Sequence, residues 1–211
     1  MQHDYILLDR SASMSTNGKW PETLSALNGY VAKIAEEKVD TGVTLIAFDK
    51  NGSEMSFDML RDKIIPSTWN PVSDVDAMPR GYTPLNDAVV RLVSRVEQDH
   101  VKVKFDKVVI VIITDGEENS SKEASHGDAK RRLDDCRAKG WQVIFLGVDF
   151  ENSVQAESYG NKSAFNASVD SNTMRFAGAA LAESRTNYST GATQDMAFTD
   201  EQREKMKEKK A

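Results

Sequence analysis

The stretch VVIVIITDG, residues 108–116, decides the fold of this chain. Its aliphatic run is too short to cross a bilayer, but it has the length of a strand that is covered on both faces. Such strands form parallel sheets flanked by helices, and these sheets bind ligands at the carboxyl ends of their strands. Because Thr114-Asp115-Gly116 follows the run directly, we expect Asp115 to lie at that edge.

Strand and helix patterns alternate on both sides of this central segment. The predicted strands are Tyr5–Asp9, Val43–Phe48, Glu54–Leu60, Lys107–Thr114, Trp141–Val148 and Ala164–Val169. The predicted helices cover Pro21–Lys38, Leu85–Val96, Asp128–Lys139 and Asn172–Tyr188, and an irregular loop covers Pro66–Gly81. Asn51-Gly52 favours a tight hairpin, so Glu54–Leu60 should be an antiparallel edge strand. The alternation predicts an α/β fold with a doubly wound, mainly parallel central sheet and helices on both faces.

Length and composition favour one domain. A chain of 211 residues with 39% hydrophobic content can bury one substantial core. We expect the domain to cover residues 1–190 and a charged tail to cover residues 191–211. The tail is solvated by default, although Thr199 or Asp200 could cap a short helix that docks instead.

Several classes of protein are disfavoured by the composition. The formal net charge of −6 argues against a nucleic-acid partner, and no apolar run is long enough for a membrane span. The first strand begins almost at the N-terminus, so we expect no export signal and a cytoplasmic location. Cys136 shares a helix face with Leu133 and Ala129, which predicts a packed thiol in a reducing compartment.

Oxygen-bearing side chains cluster in three short motifs. Asp9, Ser11 and Ser13 alternate after the first strand, Thr83 precedes Pro84 at the start of a helix, and Asp115 ends the central strand. This set of two carboxylates and three hydroxyls suits Mg²⁺ or Mn²⁺, with Ca²⁺ also compatible, rather than Zn²⁺ or Cu²⁺.

These residues resemble a known site. The D-x-S-x-S run from Asp9, Thr83 and the T-D-G around Asp115 are similar to the metal-ion-dependent adhesion site (MIDAS) of von Willebrand factor type A (vWA) domains. The resemblance spans most of the chain to about residue 188. It implies a Rossmann-like vWA fold, in which Asp9, Ser11, Ser13, Thr83 and Asp115 coordinate the metal directly or through water. Ala12 departs from the glycine usual in the family, which puts the loop conformation in question.

Three longer segments carry a narrower resemblance. The wording LLDRSASM, VIITDGEENSS and WQVIFLGVD resembles small stand-alone vWA proteins of phages and bacteria. A phage-encoded protein of this kind would act in the host cytoplasm.

The charge of the site favours a binding function. Two carboxylates and three neutral hydroxyls leave a coordination position of a divalent cation open, and the resemblance implies that an Asp or Glu of a partner protein fills it. An alternative is a subunit that works with an ATPase, as in chaperone-like or chelatase systems. A third is a metal-dependent phosphoesterase or phosphotransferase. No G-x-S-x-G turn or Gly-rich phosphate loop is present, so we expect no catalytic residues and no enzyme.

Other polar residues near the motifs have less specific expectations. We expect Asp49 and Asp149 to serve as turn or cap residues. Solvated surface or hydrogen bonding around the site is expected for Asp87, Glu117 and Glu118. The three histidines, His3, His100 and His126, should have surface or capping roles.

Overall fold

Six strands form the sheet of a computed structural model, which describes residues 1–37, 39–149 and 153–206. The strands are β1 Gln2–Asp9, β2 Thr41–Lys50, β3 Met55–Ile64, β4 Lys107–Thr114, β5 Gln142–Val148 and β6 Asn166–Val169. Their order is β3-β2-β1-β4-β5-β6, and only the β2–β3 pair is antiparallel among these strands. The predicted doubly wound α/β fold with one antiparallel edge strand is confirmed.

Helices connect and cover the strands. They are α1 Lys19–Glu36, α2 Leu85–Lys102, α3 His126–Ala138, α4 Ser153–Ser158, α5 Met174–Thr190 and α6 Asp200–Met206. The sequence patterns did not predict the short α4. The helix predicted from Pro21 begins two residues earlier at Lys19, and its predicted last residue, Lys38, lies outside the described residues.

The core lies on both faces of the sheet because side chains alternate along β4. Val109, Val111 and Ile113 point to the side covered by α1 and α5. Val108, Ile110 and Ile112 point to the side covered by α2 and α3, where Leu133 and Cys136 are also buried. Cys136 is a packed thiol as predicted, and burial raises its pKa to about 12.

The sheet register brings the two acidic motifs together. β1 and β4 are parallel neighbours, with Leu8 opposite Ile113. Asp9 therefore leaves the sheet beside Thr114 and Asp115, at the same carboxyl edge.

The alternative of a docked tail applies to residues 196–206, while residues 191–195 are exposed. Met196, Phe198 and Met206 are buried, so this segment covers part of the core. Thr199 caps α6, because its hydroxyl accepts from Gln202 N while Gln202 Oε1 accepts from Thr199 N. The last residues of the predicted tail, 207–211, lie outside the described residues. Apolar side chains at positions 196, 198 and 206 outweigh the net charge of the segment.

No helix among the described residues is both long and apolar enough to span a membrane.

Candidate metal centre

Asp9 is the most enclosed residue of the candidate site. It is fully buried, and both of its carboxylate oxygens accept hydrogen bonds from neutral donors. Ser11 N donates to Oδ1 at 2.7 Å, and Thr114 Oγ1 donates to Oδ2 at 2.7 Å. Burial, with a smaller contribution from the charge of Asp115, raises the pKa of Asp9 to about 7. The carboxylate therefore lies in a place that favours a cation.

Ser11, Ser13 and Asp115 form a continuous chain of oxygens. The Ser11 and Ser13 hydroxyls are 3.0 Å apart, and Ser13 Oγ donates to Asp115 Oδ1 at 2.8 Å. A short 3₁₀ turn at Ala12–Ser15 holds this arrangement. Ser11 and Asp115 are buried, whereas Ser13 is exposed, so solvent reaches the group from the side of Ser13.

Ala12 fits the loop without strain. Among the described residues, the non-glycine positions with positive φ are Asn17, Lys63 and Asp149, so Ala12 is not in the left-handed region. The glycine usual in the family is therefore not needed here.

Thr83 reaches the site because its loop is fastened to the first motif. Ala12 N donates to Gly81 O at 3.1 Å, and Arg80 N donates to Arg10 O at 2.7 Å. Gly81 has φ +70°, and a Cβ there would lie 2.2 Å from Lys50 O, so only glycine permits this approach.

The Thr83 hydroxyl lies close to Gly116, as the Ser13 hydroxyl does. An ideal Cβ on Gly116 would lie 3.9 Å from both Ser13 Oγ and Thr83 Oγ1. The two hydroxyls therefore flank the loop that carries Asp115. All five predicted residues meet at one edge of the sheet, and their role as metal ligands stays a prediction.

The segment after Asp115 positions Thr83. Asn119 Oδ1 accepts from Thr83 N at 2.9 Å, and Asn119 N donates to Thr83 O at 3.1 Å. Glu118 accepts from Asn86 N at 2.8 Å, and Asp87 accepts from backbone N–H groups of residues 122–124. The expected hydrogen-bonding role of Glu118 and Asp87 is confirmed, and Glu117 is exposed as expected. Asn119 was missed, although an amide close to a T-D-G motif is a signal that could have identified it.

Lys19 is the most consequential residue that the sequence did not reveal. Its Nζ donates to Asp115 Oδ2 at 2.7 Å, and the side chain is only 10% exposed. A basic residue at the first position of a helix, where acidic residues are favoured, is the signal that could have drawn attention to it.

The prediction for Asp49 is wrong. It lies within β2 and pairs with Arg10 Nε at 2.7 Å and Arg80 Nε at 3.0 Å. Through these ion pairs, the side chains of Arg10 and Arg80 both contact β2. Asp149, in contrast, is a turn residue as predicted, with φ 53° and its Oδ1 accepting from Ser171 N.

The prediction for His3 is also wrong. This residue is fully buried in β1, and Thr44 Oγ1 lies 2.9 Å from its Nε2. Burial lowers its pKa to about 4. His100 lies in the last turn of α2 and accepts from Phe105 N, while His126 is exposed at the start of α3, as expected.

The donors present fit a hard divalent cation. Among the described residues, no three His, Cys, Asp or Glu side chains are placed to hold a metal ion, so a cation bound at this site would need hydroxyl ligands as well. Two buried carboxylates and three hydroxyls are the oxygen ligands that Mg²⁺, Mn²⁺ and Ca²⁺ prefer.

A family model for the von Willebrand factor type A domain matches residues 5–177. The chain belongs to this family. The match contains all five candidate ligands and ends within α5. A search of curated proteins gives no match.

Solved structures show the same vWA fold. The manganese-loaded TRAP protein of Plasmodium vivax is 16% identical, with a TM-score of 0.59 over 83% of this chain and 70% of that chain. SpaC, a pilus adhesin of Lactobacillus rhamnosus GG, is 11% identical, with a TM-score of 0.65 over 86% and 30%. Proximal thread matrix protein 1 of the mussel byssus is 14% identical, with a TM-score of 0.56 over 86% and 45%. At these identities the likeness concerns the fold alone.

Proposed function

We propose that this protein is a metal-dependent protein-recognition module. One divalent cation, Mg²⁺ or Mn²⁺ with Ca²⁺ also compatible, is held by Asp9, Ser11, Ser13, Thr83 and Asp115. When bound, the ion supplies the positive charge that attracts an Asp or Glu of a partner protein. The observation that carries this proposal is the convergence of two buried carboxylates and three hydroxyls from three loops at one edge of the sheet.

The charges of the protein ligands and the solvent exposure of the site both support an external carboxylate as the last ligand of the ion. The hydroxyls are neutral, so the two aspartates are the negative ligands available to the ion. Ser13 is exposed, which leaves a route for a partner side chain from that side. The manganese in the Plasmodium vivax TRAP structure supports divalent metal binding by analogy within the fold.

Calorimetry with Mg²⁺ and Mn²⁺ tests the metal site. We expect the wild type to bind one ion and Asp9→Ala and Asp115→Ala to lose binding, because each removes one of two charged ligands. Asp135→Ala is the matched control, since it removes an exposed carboxylate on α3. Undiminished affinity in both site variants would remove the central claim.

Thr83→Ala separates metal binding from partner binding. The resemblance to the adhesion site implies that this hydroxyl contributes most when an external ligand is engaged. We therefore expect the variant to keep most of its metal affinity and lose most of its partner affinity. Equal losses of both would contradict this role.

A pull-down in the presence of Mg²⁺ or EDTA tests how the site is used. Partner binding should require the metal, and a complex that survives EDTA would show that recognition uses another surface. If the captured partner is an ATPase, the same site would serve a subunit of a chaperone-like or chelatase system.

We propose a binding function rather than an enzymatic one. The buried, neutral His3 is not placed for acid-base chemistry, and the two site carboxylates are both needed for the ion. We further propose a cytoplasmic setting, with which the buried free thiol of Cys136 is compatible, and an origin among the small stand-alone phage or bacterial members of the family. Phosphatase assays with the metal-loaded protein would reveal the less favoured phosphoesterase activity.

A further inference from the structure

Lys19 occupies an unfavourable place for a lysine. Its ammonium group is largely removed from water, and lysine is rarely buried without a partner. It is also the first residue of α1, where the helix dipole is positive, and the preceding Gly18 offers no side-chain cap. The ion pair with Asp115 Oδ2 at 2.7 Å offsets these penalties.

The contact leaves Asp115 able to bind a metal. Lys19 takes Oδ2, while Oδ1 lies on the side of Ser13. Each carboxylate oxygen can accept more than one partner, so Oδ1 remains available beside the two serine hydroxyls.

Counting charges gives Lys19 a further role. Asp9, Asp115 and Lys19 together carry one negative charge when all three are ionised, and a divalent cation turns this into one positive charge. Without Lys19, the same site would change from two negative charges to neutrality. The lysine therefore opposes entry of the metal and leaves the loaded site positive.

We propose that Lys19 is a tethered counter-cation that weakens metal binding and strengthens the attraction of the loaded site for an acidic partner. This rests on the proposed function, in which the site holds a divalent cation. Lys19 is thus a positioning and specificity-determining residue rather than a ligand of the metal.

The first experiment measures Mg²⁺ and Mn²⁺ affinity by calorimetry for Lys19→Met and Lys19→Gln. Both variants remove the charge, and Lys19→Gln retains a neutral donor for Asp115 if the methionine variant does not fold. We expect metal binding to become tighter by about tenfold, because a nearby like charge has been removed. Lys33→Met is the matched control, since Lys33 is exposed on the same helix and pairs with Glu36.

The second experiment uses acetate as a probe carboxylate. Relaxation of its methyl protons by Mn²⁺ bound to the protein reports how strongly acetate enters the site. We expect acetate to bind the loaded Lys19 variants at least about threefold more weakly than the wild type and Lys33→Met.

The outcomes separate the two proposals. Unchanged or weaker metal binding in both Lys19 variants, while the wild type binds metal, would overturn the counter-cation role and leave Lys19 as a support for Asp115. Equal or tighter acetate binding in the variants would overturn its effect on the partner. Absence of metal binding in the wild type and both variants would overturn the proposed metal function itself.

Discussion

Strand β1 carries one buried carboxylate near each end, and the two carboxylates have different hydrogen-bond donors. Arg185 Nε donates to both carboxylate oxygens of Asp4 at 2.9 Å, and Tyr30 Oη donates to Asp4 Oδ2 at 2.8 Å. Asp9 accepts hydrogen bonds from the Ser11 backbone N–H and the Thr114 hydroxyl. It also feels the negative charge of a second carboxylate, that of Asp115. Asp4 is paired with Arg185, which also lies 3.8 Å from Glu37, whereas Asp9 accepts from neutral donors and the lysine of the site pairs with Asp115.

The difference distinguishes a structural charge from a functional one. A buried carboxylate that is paired with a cationic side chain has its charge balanced within the protein. Removing the cation leaves an uncompensated buried charge, which destabilises the protein. Two neighbouring carboxylates with an ammonium group on one of them retain a negative charge, which a bound cation can balance. The four predictions below test this comparison.

The largest effect is expected for Val111→Asp, which places a carboxylate in the middle of β4 with no cation beside it. Val111 is fully buried among the core side chains that face α1 and α5. We expect no soluble folded protein, because an unpaired buried charge is far more costly than a cavity. Val111→Ala should still fold, with a lower free energy of unfolding. A Val111→Asp protein that unfolds cooperatively would show that the sheet assignment is wrong.

Arg185→Met should be the next most damaging change. It leaves Asp4 buried without its cation, so we expect the free energy of unfolding in urea to fall by about 3–5 kcal/mol. Metal affinity should not change, because the pair lies at the other end of β1. The double variant Asp4→Leu/Arg185→Met should recover part of the loss. If the single variant retains wild-type stability, the pair at Asp4 is not the structural charge that the comparison requires.

Asp9→Asn should have the opposite effect at the other end of the strand. It removes a charge that lacks a cation, so the metal-free protein should be as stable as the wild type at pH 8 or more stable by about 1 kcal/mol. Metal binding should be lost in calorimetry. Strong destabilisation of the metal-free protein would mean that the Asp9 charge is structural, like that of Asp4.

The last prediction concerns the pH dependence set by His3, which precedes Asp4 in the chain. The pKa of His3 is about 4 in the folded protein and near 6.5 in the unfolded chain, so between these values only the unfolded chain binds the proton. The unfolding free energy should therefore decrease as the pH is lowered through this window, by about 1.4 kcal/mol per pH unit from this group. His3→Gln should reduce the slope, and His126→Gln, which changes an exposed histidine, should not. Identical slopes for all three proteins would contradict a buried neutral His3.

Sequence patterns located the strands because burial on two faces leaves long aliphatic runs. The central run ends at Thr114 as predicted, and the helix that carries Cys136 has the predicted apolar face. The antiparallel β3 followed from Asn51-Gly52, although the strand extends to Ile64. Element ends were less accurate, since they depend on caps and on contacts with distant residues.

The candidate ligands were also accessible from sequence, because each follows a strand or precedes a helix and parallel strand ends share one edge. The roles of Asp49 and His3 could not be predicted from the sequence. Asp49 looks like a turn residue until the neighbouring loops bring Arg10 and Arg80 to it. His3 lies close to the chain terminus, yet β1 is an interior strand of the sheet and buries it.

The sequence by itself determined the α/β class, the order of its elements and the oxygen donors at the strand ends, because these follow from local periodicity and residue chemistry. Only the tertiary structure decided which charges meet. Lys19 and Asp115 are 96 positions apart in the chain, and Asp4 and Arg185 are 181 apart. Such pairs depend on strand order and helix placement, which bring distant residues together and which local sequence patterns do not specify.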